Sequence, residues 1–249
     1  MILRFVVDTH THTIASGHAY STVQEMAREA ASKGIEMFAI TDHGPAMKGA
    51  PYLYHFANLR IIPETLFGIR VLKGVEANII DYSGNLDMPD GYLKRLDFVI
   101  ASFHDVCIEP SSVEENTQAM VNVLKNPYVD AIGHPGNKMF QVDIEKVVKA
   151  ACENGKFIEI NNSSFLVRSG CEENCKEFAV ECKKQGVRIV CGSDAHISYD
   201  VGRFDRIYKL LEEVDMPEEL IMNTSSDKFD EYLKKKKERK NRVNCPSQR

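Results

Sequence analysis

The chain has 249 residues, room for one large α/β domain or two small ones, and its 43% apolar content is ample for a core. Its 31 basic and 36 acidic residues leave a net charge of −5, which disfavours nucleic acid as a partner over any broad surface. Seven cysteines without framework spacing argue against a secreted disulfide scaffold, no run of about 18 apolar residues offers a membrane span, and residues 1–18 lack a signal-peptide pattern, so the expected setting is cytoplasmic with no membrane partner.

Short apolar runs then recur along the chain: LRFVV (3–7), EMFAI (36–40), IRVLKGV (69–75), LDFVIAS (96–102), VDAIG (129–133), KFIEI (156–160) and RIVCG (188–192). Each is too short for an ordinary helix, and their Val, Ile and Phe content suits strands buried on both faces. Helical patterns separate them. Ser21 and Gln24 frame a capping box, and the helix it opens stops at Gly34. VEENTQAMVNVLK (113–125), DIEKVVKAACENG (143–155) and CEENCKEFAVECKKQG (171–186) read the same way. In the last of these, Cys171, Cys175 and Cys182 fall on one helix face and read as buried small hydrophobes rather than a metal site. The segment KKKKERKNR (234–242) reads as a solvated basic extension, a tail over 234–249 after a domain at 1–233, with a local anionic contact as the lesser reading.

The residues just past each apolar run carry the chemistry. The ends read DTHTH, TDH, EAN, FHD, HP, NNSS and GSDAH, and six of these seven contain His, Glu or Asp. His10 and His12, two residues apart, leave one face of an extended strand and can grip one ion. His18, His43, Glu76, His104, His134, Asp194 and His196 complete a set of nine candidate ligands. Seven ends can converge on one point only where strand termini share one mouth, so a closed or nearly closed barrel in a single domain is predicted over an open sheet. Imidazole with carboxylate suits Zn²⁺, Mn²⁺ or Fe²⁺ better than Mg²⁺, and nine ligands suit three ions. His55, in YLYHFANLR (52–60), is expected to be an ordinary loop histidine, with a rim or substrate contact as its alternative. Asp8 and Asp42 are candidates for orienting the ligating imidazoles, Asp105 a weaker one. Arg60 reads as a surface ion-pair residue before a phosphate contact.

HTHT, TDHG, EAN, HPGN, EINNSSF and GSDAH together resemble the PHP family, named for polymerase and histidinol phosphatase, and in order and spacing its stand-alone YcdX-like phosphatases. The resemblance runs from about Val7 through Arg206. It implies a distorted (β/α)7 TIM-like barrel holding three divalent ions, usually zinc, with manganese or iron as variants. Carried onto this chain, it implies one ion on His10, His12, Glu76 and Asp194, a second on Glu76, His104 and His134, and a third on His18, His43 and His196. Glu76 and Asp194 then act in catalysis through the metals.

The activity so implied is phosphomonoester hydrolysis of a small phosphorylated substrate, by in-line attack of a hydroxide bridging two ions and without a phospho-enzyme. Three other readings compete. A nuclease or phosphodiesterase is opposed by the net charge and the lack of a polymerase module. An amidohydrolase also opens with HxH, but its usual bridging lysine has no counterpart here. A non-catalytic metal-binding regulator finds no support, because all nine ligand types are present. A homo-oligomer is compatible with the sequence, which encodes neither the oligomeric state nor the physiological substrate.

Overall fold

The computed structural model describes residues 3–243. Eight strands form: β1 (Val7–Thr11), β2 (Met37–Ile40), β3 (Thr65–Leu66), β4 (Ile69–Asn78), β5 (Phe98–Ser102), β6 (Ala131–Ile132), β7 (Phe157–Asn161) and β8 (Ile189–Gly192). Seven pair in parallel in the order β1-β2-β4-β5-β6-β7-β8, and β3 is a short antiparallel lead-in to β4. Helices α1 (Val23–Ser32), α2 (Leu53–Asn58), α3 (Asp90–Leu93), α4 (Val113–Leu124), α5 (Ile144–Asn154), α6 (Ser164–Val167), α7 (Glu172–Gln185) and α8 (Asp205–Glu213) fill the connections, and α9 (Ser226–Val243) comes last. The result is the expected nearly closed seven-stranded α/β barrel.

Strand alternation sorts the interior into layers. At the floor, Val7, Met37, Leu72, Phe98, Phe157 and Val190 point inward and meet Met222, Phe229 and Tyr232. The α9 side chains pack at tilted angles on strand aromatics, Phe229 on Phe98 and Tyr232 on Phe157. Alternate residues such as Phe38, Val75, Val99, Ile158 and Cys191 point outward into the larger core under the helices, where Cys171, Cys175 and Cys182 are also buried as expected. Above the floor come inward-facing glycines. A Cβ on Gly133 would lie 2.2 Å from Ser102 Oγ, and one on Gly192 would lie 2.5 Å from His10 Cβ and 2.3 Å from Glu159 Oε1. This small-residue layer leaves room for the polar side chains of the mouth.

Beyond the strand ladders, β1 and β8 are joined by a seam of single hydrogen bonds. Asp194 N–H donates to His10 O (2.9 Å) and His12 N–H to Ala195 O (2.8 Å). Below them Asn223 supplies the pairing. Its Nδ2 donates to Val7 O (2.8 Å) and Cys191 O (2.7 Å), and its Oδ1 accepts from Cys191 N–H (2.7 Å). Asn223→Ala leaves three buried backbone groups without these partners. It should cost about 4 kcal/mol and lower Tm by roughly 10 °C in a thermal melt.

Four details differ from the sequence reading. The first strand begins at Val7 rather than ending there, because DTHT itself pairs with β2. The α1 capping box uses Thr22 and Glu25, one residue later than expected. His55 lies on a helix, α2, rather than in a loop. The basic segment is helical and solvated at Lys234, Lys235, Lys237 and Arg239 as expected, but α9 runs through the expected boundary at 233 and Lys236 is only 3% exposed. Lys236 Nζ pairs with Asp130 Oδ2 and donates to Asp97 O (2.8 Å), while Tyr232 donates to Asp130 Oδ1 (2.5 Å). A buried ion pair so fully hydrogen-bonded fixes how the floor helix docks. Residues 244–249 of the expected tail lie outside the described residues.

Candidate metal centre

The nine candidate ligands meet at the C-terminal mouth of the barrel. A β-bulge brings the first pair in. The register steps from Asp8↔Phe38 to Thr11↔Ile40, three residues against two, so that His10 and His12 turn inward above the inward-facing Val7. β4 continues past the apolar run and carries Glu76 on the interior face. His104, His134, Asp194 and His196 come just after β5, β6 and β8. His134 (φ 30°) and Asp194 (φ 57°) both sit in the left-handed region, where a side chain costs about 1–3 kcal/mol that the surrounding packing must offset.

Glu76 is the hub. Its Oε1 lies 2.7 Å from His134 Nε2 and 3.4 Å from His104 Nε2. Its Oε2 lies 2.8 Å from His43 Nδ1, 3.3 Å from His10 Nε2 and 3.5 Å from His12 Nε2. Asp194 Oδ1 is 3.2 Å from His12 Nε2 and 3.6 Å from His196 Nδ1. His18 joins through His196, with Nε2 to Nε2 at 3.1 Å. Burial opposes ionisation of Glu76, but the imidazoles of His10, His104 and His43 outweigh it and hold the carboxyl well below its usual range. Asp194 is likewise held well below, against burial, by His10, His12 and Arg168. Burial depresses His12 well below its ordinary value and His134 to about 4.

Hydrogen-bond partners on the outer side fix which nitrogen faces inward. His10 Nδ1 meets Glu159 Oε1 at 2.7 Å, and His196 Nδ1 meets the Asp194 carbonyl at 2.9 Å. His104 Nδ1 meets Asn78 Oδ1 at 2.8 Å, the amide being oriented by Nδ2 donating to Gly44 O (3.1 Å) and Asp87 Oδ2 (2.6 Å). Each of these partners accepts, so each Nδ1 donates and each Nε2 turns a lone pair to the centre. His12 obeys the same rule. Ser16 gives its one hydroxyl proton to Asp42 Oδ1 (2.7 Å) and so accepts from His12 Nδ1 (3.0 Å). As a result, His10 Nε2 and His12 Nε2 face each other at 3.1 Å, with only a shared proton or a cation able to join them. His43 Nδ1 and Glu76 Oε2 are buried without a hydrogen-bond partner. A cation would bridge the two facing Nε2 atoms and the unpaired Glu76 Oε2, and the donor set fits a borderline divalent ion. Three subsets place ligand atoms within 4.8 Å of one another: His10–His12–Glu76, His12–His43–His196 and His43–Glu76–His104.

Glu159, Asn78, Ser16 and Arg168 were not singled out from the sequence. A carboxylate inside the apolar run KFIEI was the one available signal for Glu159, which also accepts from His134 N–H (2.7 Å). Arg168, whose Nη1 donates to Ser164 Oγ (3.0 Å) and lies 3.6 Å from Asp194 Oδ2, comes from a loop with no readable pattern. Asp8 does not orient an imidazole. It accepts seam amides, from Ser193 (3.0 Å) and Gly202 (2.8 Å). Asp42 does act at one remove, through Ser16. Asp105 and Arg60 are exposed. Arg168, Val167 and Met47 line a cavity of about 390 Å³ together with His18, His43, Glu76, His104, Asp194 and His196. Larger grooves on the outer helices hold no such cluster among the described residues. Because Gly192 packs under His10 and Glu159, Gly192→Ala should cost about 2 kcal/mol and lower bound metal, read by a thermal melt and elemental analysis.

A parallel barrel whose mouth converges imidazoles and carboxylates on one cavity defines an α/β barrel with a candidate cation site. The family model of the PHP domain matches residues 8–163, and the chain belongs to the PHP family. A probable phosphatase of Acetivibrio thermocellus is 79% identical over 237 residues, covering 95% of this chain and 98% of that protein. A probable phosphatase of Caldanaerobacter subterraneus subsp. tengcongensis is 59% identical over 241 residues, covering 96% and 95%. Among solved structures, histidinol phosphate phosphatase of Lactococcus lactis, complexed with zinc, L-histidinol and phosphate, shares the fold with a TM-score of 0.57 at 16% identity, over 85% of this chain and 94% of that one. No helix among the described residues is long and apolar enough to cross a membrane.

Proposed function

We propose that the chain is a metal-dependent phosphatase that hydrolyses small phosphomonoesters with three divalent ions, zinc foremost. The observation that carries this reading is the orientation of the imidazoles: four donate outward through Nδ1, and the Nε2 atoms of His10 and His12 face each other at 3.1 Å. The names of the similar proteins supply the reaction class. One ion is assigned to His10, His12, Glu76 and Asp194, a second to Glu76, His104 and His134, and a third to His18, His43 and His196. The two-sidedness of Glu76, with Oε1 toward His134 and Oε2 toward His10 and His43, supports its sharing between ions. When bound, such ions supply a water of lowered pKa and positive charge against the phosphoryl oxygens.

The chain's own residues do the rest. Glu76 and Asp194, both held ionised, fix the ligand array from opposite sides of the cavity. Arg168 offers a guanidinium to a phosphoryl oxygen from the cavity wall. A water oxygen bonds to phosphorus opposite the ester oxygen, the P–O bond to the alcohol breaks, and the alcohol leaves with a proton. Attack by water on phosphorus in this way passes through no phospho-enzyme. The six described cysteines are free, in keeping with a cytoplasmic setting.

Elemental analysis beside a phosphate-release screen tests the proposal. The expected result is three equivalents of metal with turnover of phosphomonoesters, and no covalent phosphate after rapid quenching. A metal-replete protein inert toward the panel, or one cleaving labelled single strands or amides in preference, overturns it.

A further inference from the structure

The segment between β2 and β4 carries α2 and sets His55 against Asp42, the residue before the candidate ligand His43. His55 Nε2 lies 3.3 Å from Asp42 Oδ2. The imidazole is partly exposed, 28%, whereas the Asp42 carboxylate is fully buried. Asp42 spends its other acceptor sites on the β1 loop. Oδ1 accepts from Thr13 N–H (2.8 Å) and the Ser16 hydroxyl (2.7 Å), and Oδ2 accepts from the Thr13 hydroxyl (2.9 Å). Ser16 in turn accepts from His12 Nδ1 (3.0 Å) and from His43 N–H (3.3 Å).

Proton counting sets the polarity of this chain of hydrogen bonds. An ionised carboxylate only accepts, so Ser16 points its single proton at Asp42 and turns its lone pairs to His12. His12 must then carry its proton on Nδ1 and present Nε2 to the centre. At the far end His55 Nε2 is buried with no aligned hydrogen-bond partner, although Asp42 Oδ2 stands in front of it. Hydrogen bonds of this kind are often loose in the ligand-free state and tighten when a site is filled.

We propose that His55 is a positioning residue of the metal centre: by donating to Asp42 it locks the Asp42–Ser16 pair that holds His12 in its ligating tautomer, and so couples the seating of α2 to cation binding. Asp42 without His55 keeps three donors, all from the short loop Thr13–Ser16, and among the described residues no side-chain hydrogen bond joins α2 to that loop. The proposal rests on the assignment of the barrel mouth as a metal centre and adds a residue that contacts neither ion nor substrate.

The test uses the full chain stripped of metal and titrated with zinc against a chromophoric chelator. His55→Ala should weaken zinc binding about tenfold, the loss usual for a partner behind a ligand, with the Tm of the metal-free protein unchanged. His55→Gln, whose amide can donate in place of Nε2, should restore most of the affinity. In a double-mutant cycle with Ser16→Ala, the two losses should be less than additive, because both act through His12. Equal zinc affinity in wild type and His55→Ala overturns the proposal. So does a loss that His55→Gln leaves unrepaired, that lowers the metal-free Tm, or that adds fully to the loss from Ser16→Ala. If wild type itself takes up no zinc, the metal-centre reading fails instead, and the two failures are thereby told apart.

Discussion

Glu76→Gln should remove at least about 10³-fold of the phosphatase turnover, a barrier increase of about 4 kcal/mol, while the protein stays folded. The substitution keeps the shape of the side chain and removes its charge. In the wild type five imidazoles face the two oxygens of Glu76 within 3.5 Å, on two sides. A glutamine offers one acceptor and one donor there, so one side of the hub meets N–H groups where it needs a lone pair. Bound metal should fall by at least one equivalent in elemental analysis. The fold should survive, because the hub sits above the floor layer and contributes nothing to the packing of Phe98, Phe157, Phe229 and Tyr232. Retention of both full metal content and turnover in Glu76→Gln would remove Glu76 from the centre. Unfolding, read by circular dichroism, would instead mark it as a structural group.

How far the site was legible depended on distance along the chain. The pair His10 and His12 could be read because two-residue spacing on a strand is a local rule, yet the bulge that turns both inward left no sequence trace. Seven further ligands stand singly or in pairs along the chain, six of them as polar residues ending apolar runs, and only the barrel hypothesis ties them together. The groups that support the ligands were mostly invisible. Ser16 and Arg168 lie in polar loops where any residue passes without remark. Asn223 closes the β1–β8 seam although Val7 lies more than two hundred residues before it, and a lone asparagine carries no signal for that. Lys236 looked solvated because its neighbours are all basic. It is buried because position 236 lies one helical turn after Tyr232, on the stripe of α9 that faces Asp130. Local periodicity thus predicted elements and strand ends, whereas hydrogen-bond partners depended on which strands became neighbours.

Chelation of the metal should abolish activity and lower Tm by about 10 °C, with both restored by added zinc. Binding to the native state alone stabilises by about 4.1 kcal/mol at a thousandfold excess over Kd, and each kcal/mol moves Tm by roughly 2–4 °C at this size. Without a cation, the Nε2 atoms of His10 and His12, 3.1 Å apart, must share a proton. His10 is where it goes: burial opposes the charge, but Glu159, Glu76 and Asp194 together raise its pKa well above the ordinary value. Metal must therefore expel a proton from His10 to bind, so zinc affinity should rise with pH through the neutral range and fall as the pH drops. Calorimetry in buffers of different ionisation enthalpy measures that release directly. A zinc affinity flat across pH 6 to about 8, or a Tm indifferent to chelator, would mean that the imidazole cluster is held by hydrogen bonds alone, and the facing lone pairs at the barrel mouth would then need a proton rather than a cation to explain them.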